Sequence, residues 1–483
     1  MNTLLEALYT YGRLVLNNDE IQTKEPLNAL NESELNALNK PFTGVINVQD
    51  LYLALKAVFS QMSVDVEREI DYIFGLLTPP QSKVNEVFWS LYRTNPTLAT
   101  QYLYELGKMN HYIQIEKVKL NRQYNQDGLI ITINLSKEEK DNKQIAVMAK
   151  QPPITFPKCV LCFENVGYKG AGQQPPRSTL RVAELTLDHE SWFMQYSPYP
   201  YFEEHAIFID KIHRPMKVDI QTIQQLIDIV DWFPEYFVGS NAAMPIIGGS
   251  ILSHAHFQGG KKQAFPLMLA KAKETFTCSM YAEVSISTLE WPSFVLRLES
   301  KDAKALKQCI VHYMEQWSVF EAKEVGLIPF TDGVSHHGVA PILHKQNGHY
   351  VAHLIFRSNR TNDTYPEGVF HAHPEHHHIK KEGIGLIEAM GMFILPGRLA
   401  TVLDQYTHLT SLPAFHQLAE QYPVHKDWLL KYLVPMRFEP NHLKERFIHA
   451  LSFVCKDILN NISVFKQDSI GMEFQNEFLN RTR

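Results

Sequence analysis

"MPIIGGSILSHAHFQGG", Met244–Gly260, decides how the rest of this chain reads. Two histidines, His254 and His256, flank Ala255, and Gln258 follows two residues later. Glycine pairs, Gly248-Gly249 and Gly259-Gly260, frame them. "PIIGGSIL" reads as a buried strand running into the histidines. Side chains alternate along a strand, so His254, His256 and Gln258 should share one face. The glycines permit close approach of backbone to a ligand, and N–H groups freed in this way can meet phosphate oxygens. A histidine nucleophile needs one ring nitrogen as a neutral lone pair while the other donates to a fixed acceptor, and a neighbouring backbone carbonyl would serve. Gln258 can donate its amide to a phosphate while staying neutral. The stretch therefore reads as a nucleophilic histidine with a phosphate-holding glutamine, suited to group transfer. Two other readings stay open: a pair of ligands for one metal, or two hydrogen-bonded histidines on a polar sheet face. The triplet alone does not choose. With 22 histidines in 483 residues, about one His-x-His is expected by chance.

Two further stretches carry chemistry. In "PKCVLCFENVGYKG" (Pro157–Gly170), Cys159 and Cys162 have the spacing that places two thiolates on one cation. That is half a tetrahedral site, and His213 and His254 are the best candidates to complete it. A pair of buried thiols at a turn is the plain alternative. A thioredoxin-like role is disfavoured because glycines and prolines, not a helix, follow. The second stretch is "HAHPEHHHIKKEG" (His371–Gly383), which by composition is either a metal-binding tract or a solvated, pH-sensitive loop. Lys380 and Lys381 follow it and can hold a phosphate as point charges. Glu388 lies in the apolar run "GIGLIEAMGMFILP", where a carboxylate needs a partner, such as a sugar hydroxyl. Arg398 is a second anion contact or a helix end.

Around these motifs the chain divides by texture. Residues 1–125 show helical spacing, with breaks at Pro79, Pro80 and Pro96. Strands are expected at 128–136, 181–187, 192–199 and 204–210, then a helix across "VDIQTIQQLIDIVDWF" capped by Asp219 or a neighbour. A second pass has strands at 280–286 and 293–298, a helix across 302–322, and a hairpin around Asn347-Gly348. The shared His-Ala-His triplet at His371–His373 hints at a duplicated unit. Residues 401–483 return to helical texture. The organisation is thus a helical segment at 1–125, halves at 126–275 and 276–400, and a helical segment at 401–483.

Bulk properties narrow the class. A length of 483 residues calls for two or three structural units. An apolar fraction of 45% and a charged fraction of 20% are those of a soluble globular protein. A net charge of −6 argues against non-specific nucleic-acid binding. Five cysteines, Cys159, Cys162, Cys278, Cys309 and Cys455, point to a reducing compartment rather than a disulfide scaffold. The first residues read as an amphipathic helix rather than a signal peptide, and no apolar run is long enough to span a membrane. A cytoplasmic protein without a membrane or nucleic-acid partner is expected.

The gathered motifs resemble one family. "MPIIGGSILSHAHFQGG" is similar to the signature of the second class of galactose-1-phosphate uridylyltransferases, within the histidine-triad superfamily. Companions are "CVLCFENVGYKG", "WFMQYSPYPYFEEHAIF", "HRPMK", "RSNRTND", "PEGVFHAHPEHHHIKKEGIGLIEAMG" and "ILPGRL", spread over about residues 125–400. The chain departs from the family pattern at Ala255, where an acidic or amide residue is usual. The resemblance implies an α+β fold of two histidine-triad-like halves, with antiparallel sheets, flanking helices and helical terminal segments. It implies a two-step exchange in galactose catabolism: His256 takes UMP from UDP-glucose and passes it to galactose-1-phosphate, with Gln258 on the phosphoryl oxygens. It implies a structural zinc on Cys159, Cys162, His213 and His254, and no organic cofactor. It implies nucleotide contacts from Asn165, Asn241, Ser250 and Ser253, hexose-phosphate contacts from Lys380, Lys381 and Glu388, and a homodimer. A histidine-triad nucleotide hydrolase or dinucleoside polyphosphate phosphorylase, or a non-catalytic zinc- or nucleotide-binding module, is the alternative.

Overall fold

The computed structural model describes residues 2–482 except 137–155, 173, 250, 263 and 264. Helices and largely antiparallel sheets make an α+β protein of two compact units, each assembled from separate stretches of chain.

The first unit comprises Met1–Val118, Asp141–Arg214 and His254–Lys261. Its N-terminal portion is helical, as the spacing predicts. Leu4–Leu14 opens with a capping box, the Thr3 hydroxyl accepting from the Glu6 N–H while the Glu6 carboxylate accepts from the Thr3 N–H. Helices Val66–Leu77, Gln81–Thr94 and Pro96–Met109 follow. The strands run Ala183–Leu187, Glu190–Tyr196, Ala206–Asp210 and His256–Lys261, each antiparallel to the next. Polar side chains of the helices are tied to the backbone ahead of the first strand. Asp71 accepts from the Ser178 N–H at 2.7 Å, and Gln81 accepts from the Val182 N–H and donates to its carbonyl. Arg181 reaches back to the carbonyls of Thr78 and Pro79. These bonds satisfy backbone groups where helix ends meet the sheet.

The second unit comprises Lys119–Lys140, Pro215–Ser253 and Lys262–Arg483. Six antiparallel strands run in the order Tyr236–Gly239, His337–Gln346, His349–Ser358, Val295–Ser300, Tyr281–Leu289, Ala272–Cys278. The expected hairpin is there: Asn347 and Gly348 both have positive φ, 50° and 77°, as a tight two-residue turn requires. Helix Ile220–Trp232 begins at Asp219, whose carboxylate accepts from the Thr222 N–H at 3.0 Å. Asp219→Ala should lower stability by about 1 kcal/mol, read as a reduced denaturant midpoint with an unchanged slope. Leu129–Asn134 pairs parallel with Met392–Pro396, unlike the antiparallel pairs above. The C-terminal stretch is helical through Pro440–Ile462 and Ser469–Thr482.

The strand expected at "PIIGGSIL" is not there: its described residues, 245–249 and 251–252, form a turn and loop. Ile246 and Gly249 have φ of 72° and 78°, which no extended run tolerates. A Cβ at Gly248 would sit 2.5 Å from the Met244 carbonyl oxygen, and one at Gly249 3.0 Å from the Asn241 amide. Both glycines leave room for close packing within the loop.

Candidate active site and metal centre

The last strand of the first unit, His256–Lys261, presents the chemistry. It pairs with Ala206–Asp210 in the register Ile209↔His256, Phe208↔Phe257, Ile207↔Gln258. Alternation puts Phe257 on the core side, buried and stacked on Trp192 with ring centroids 4.8 Å apart. His256 and Gln258 therefore share the opposite, part-buried side. The strand starts at His256, so alternation does not govern His254, which lies just before it and is fully buried. The backbone of Ala255 is held from both sides: its N–H donates to the Arg214 carbonyl at 2.7 Å and its carbonyl accepts from the Asp210 N–H at 3.1 Å. Ala255 thus works through its main chain.

His254 and His256 sit in different hydrogen-bonding surroundings. His256 Nδ1 lies 2.8 Å from the His254 carbonyl oxygen. A carbonyl only accepts, so Nδ1 carries the proton and Nε2 keeps its lone pair. Burial holds His256 below the usual imidazole range, which favours the neutral ring near pH 7. His254 is oriented by a second carbonyl: its Nε2 donates to the Asp210 oxygen at 2.8 Å, leaving Nδ1 turned towards the cysteines. Cys159 Sγ is 3.2 Å and Cys162 Sγ 3.8 Å from that nitrogen. Cys162 Sγ is also 3.2 Å from His213 Nδ1, and the two sulfurs are 3.6 Å apart. The four ligand atoms lie within 4.8 Å of one another, a set that could hold a metal ion.

The surroundings brace this cluster. Cys159 Sγ accepts from the Leu161 N–H and Cys162 Sγ from the Cys159 N–H. Asn165, buried, donates its amide to the carbonyls of Cys159 and Cys162 at 2.8 and 2.9 Å, so it clamps the cysteine turn. Arg214, next to His213, grips Glu190 with both terminal nitrogens at 2.9 Å and Asp210 through Nε. One contact has no counterpart in the sequence pattern. His205 is buried, and its Nε2 lies 3.2 Å from Gln258 Oε1. A single histidine ahead of an apolar strand has no spacing signal, and its partner is 53 residues away.

The other sequence candidates lie in the second unit, apart from Ser250, which falls outside the described residues. Asn241 is buried and accepts from the Leu386 N–H at 2.9 Å, while Ser253 is exposed. Lys380 is buried, with Nζ 3.0 Å from both Glu388 Oε1 and the Ile394 carbonyl, whereas Lys381 is exposed. The carboxylate of Glu388 thereby has the partner its apolar setting demands. The histidine-dense tract is neither a metal cluster nor a solvated loop. His373 and His377 bond to the carbonyls of Val369 and Ala372, His378 meets His425 at 3.0 Å, and His371 accepts from the Ile384 N–H.

No helix among the described residues is long and apolar enough to cross a membrane. Family models of the N-terminal and C-terminal domains of galactose-1-phosphate uridyl transferase match residues 35–215 and 229–421. A galactose-1-phosphate uridylyltransferase of Lactococcus lactis subsp. lactis is 37% identical over 413 residues, covering 84% of this chain and 83% of that protein. Those of Pediococcus pentosaceus and Lactiplantibacillus plantarum are each 40% identical, over 405 and 406 residues, covering 83% of this chain and 82% of theirs. The chain belongs to the galactose-1-phosphate uridyl transferase family.

Proposed function

We propose that this protein moves UMP from UDP-glucose to galactose-1-phosphate through a uridylyl-His256 intermediate. The carrying observation is the hydrogen bond from His256 Nδ1 to the His254 carbonyl, which leaves Nε2 as a neutral nucleophile. Nε2 attacks the α-phosphorus of UDP-glucose, the P–O bond to the leaving phosphate breaks, and glucose-1-phosphate departs. A phosphate oxygen of galactose-1-phosphate then attacks the same phosphorus and the P–N bond breaks, giving UDP-galactose. The two halves use one set of donors because charge develops at one place in both. Gln258 supplies such donors: its amide nitrogen has no partner among the described residues, while its oxygen is held by His205. Gln258→Ala should lower kcat by about 10²–10³-fold, with a smaller change in KM, measured as UDP-galactose formed per enzyme. The reaction itself is tested by changing the acceptor. UDP-galactose should form with galactose-1-phosphate, and neither water nor inorganic phosphate should release uridine nucleotide at a comparable rate. Comparable release would favour a hydrolase or phosphorylase and sink the transferase reading.

Zinc suits the metal centre. Tetrahedral zinc with bonds of about 2.3 Å to sulfur and about 2.0–2.1 Å to nitrogen separates its ligands by about 3.3–3.8 Å. Four of the six separations among Cys159, Cys162, His213 and His254, at 3.2, 3.2, 3.6 and 3.8 Å, lie within or just below that range, and all six are within 4.8 Å. With all four positions filled by protein, the ion would be structural, fixing His254 and the strand it leads into. For the sugar phosphate the candidates are Lys380, Lys381 and Glu388; Lys381 is the exposed cation, with Glu367 3.9 Å away, whereas Lys380 is buried against Glu388 and a carbonyl. Asn165, Asn241, Ser250 and Ser253 are the candidate nucleotide contacts, Ser250 lying outside the described residues, and a homodimer is the expected assembly.

A further inference from the structure

We propose that His205 is a positioning residue that fixes which way the Gln258 amide faces. This rests on the proposed role of Gln258 and deepens it. A glutamine amide has two ends of similar shape, and only its NH2 end can donate to a phosphoryl oxygen. Left alone, the group rotates between two orientations, one of which turns a carbonyl oxygen towards the incoming anion. A preorganised donor must be locked before the substrate arrives.

His205 supplies the lock. Its Nε2 is 3.2 Å from Gln258 Oε1. Two arrangements satisfy that distance. Either His205 donates from Nε2–H to the amide oxygen, leaving Nδ1 as a lone pair, or the amide is reversed and donates to Nε2, leaving Nδ1–H. Nδ1 is buried and has no partner among the described residues. An orphaned N–H in the interior is rarer and costlier than an orphaned lone pair, so the first arrangement is preferred. Burial also pushes the His205 pKa down to about 4, so the ring is neutral and has one N–H to place. The amide NH2 of Gln258 then points away from His205, on the strand face it shares with His256.

The ring itself is immobilised. His205 stacks on Phe202 with centroids 4.5 Å apart and is tilted against Tyr201 at 5.5 Å. Gly260, two residues beyond Gln258, lets the strand lie against this wall. Its φ is 154°, and a Cβ there would come within 2.5 Å of the Glu204 carbonyl oxygen and 2.8 Å of the Phe202 ring.

The test uses three variants of the full-length protein. His205→Phe keeps the ring stack and removes the donor. His205→Asn keeps a polar group whose amide stops short of the Nε2 position. His205→Gln places an amide N–H near the lost Nε2. The readout is the single-turnover rate of UMP transfer onto the enzyme from UDP-glucose, with metal content and melting temperature as fold controls. The Phe and Asn variants should be slower by on the order of 10- to 100-fold, less than loss of Gln258 itself, with KM for UDP-glucose little changed. The Gln variant should recover most of the rate. In a Gln258→Ala background, none of the three should slow the enzyme further, because the group they aim is gone. Equal rates in all three variants, or full additivity with Gln258→Ala, would overturn the proposal. Should the Phe variant not fold, the Asn–Gln comparison separates the same two outcomes. The two readings fail separately: a wild-type rate in Gln258→Ala removes the role of Gln258, whereas a slow Gln258→Ala beside a fast His205→Asn removes only His205.

Discussion

His256→Ala, incubated with UDP-glucose and no acceptor, should show no UMP adduct by intact mass, while the wild-type protein acquires one. The expected loss in turnover is large, on the order of 10⁴–10⁶-fold, as for other enzymes stripped of their nucleophile. Its size follows from the geometry. His256 presents the single lone pair that the His254 carbonyl has oriented, and water in its place would lack both the position and the covalent partition of the reaction. The ring is part-buried on the polar face of its strand and fills no core position, so the variant should fold. A change in stability within about 1 kcal/mol is expected. The decisive comparison pairs adduct mass with unchanged metal content. An adduct of the same mass on His256→Ala would place the nucleophile elsewhere and end the proposed mechanism.

Cys162→Ser should have the second largest effect, and on two properties together. Wild-type protein is expected to hold close to one zinc per chain by elemental analysis, and the variant far less. Cys162 Sγ approaches both His213 and His254, so its loss opens the cage on two sides. Structural zinc contributes about 10–16 kcal/mol to domains that fold around it alone, which is an upper bound here because the same unit has its own apolar core. A loss of about 3 kcal/mol would lower Tm by about 6–12 °C for a unit of this size. The same variant should slow UMP transfer even where it remains folded. The link is physical: the backbone carbonyl of His254 holds the His256 proton, and the His254 ring is fixed between the cysteine pair and the Asp210 carbonyl. Loosening the ring loosens the carbonyl and frees His256 to adopt the wrong tautomer. Wild-type protein without metal, or a metal-free Cys162→Ser with wild-type melting and rate, would rule out a structural zinc centre.

Local signals were legible where local physics decides. The cap at Asp219, the turn at Asn347-Gly348 and the alternation that separates Phe257 from His256 and Gln258 all follow from neighbours a few residues apart. The Cys159–Cys162 spacing likewise pointed to the cluster with His213 and His254 that could hold a cation, because two thiolates three residues apart fit one ion. Where a long-range partner matters, spacing was silent or misleading. "PIIGGSIL" has the composition of a buried strand, yet its glycines are used to pack a loop against Met244 and Asn241. Lys380 and Lys381 look alike in sequence, but Glu388 and the Ile394 carbonyl bury one and leave the other in solvent.

The amino-acid sequence by itself determined the residue types, the family resemblance and the histidine triplet, since each depends on order along the chain. Tertiary structure alone gives the two histidines different surroundings. His254 and His256 are separated by one residue, yet the Asp210 carbonyl turns the Nδ1 of His254 towards the two cysteines, while the His254 carbonyl leaves the Nε2 of His256 as a lone pair. The same is true of His205, whose meaning comes from a hydrogen bond to a strand 53 residues away. Tautomer and amide orientation are set by acceptors brought in from elsewhere in the fold, and no pattern of neighbours encodes them.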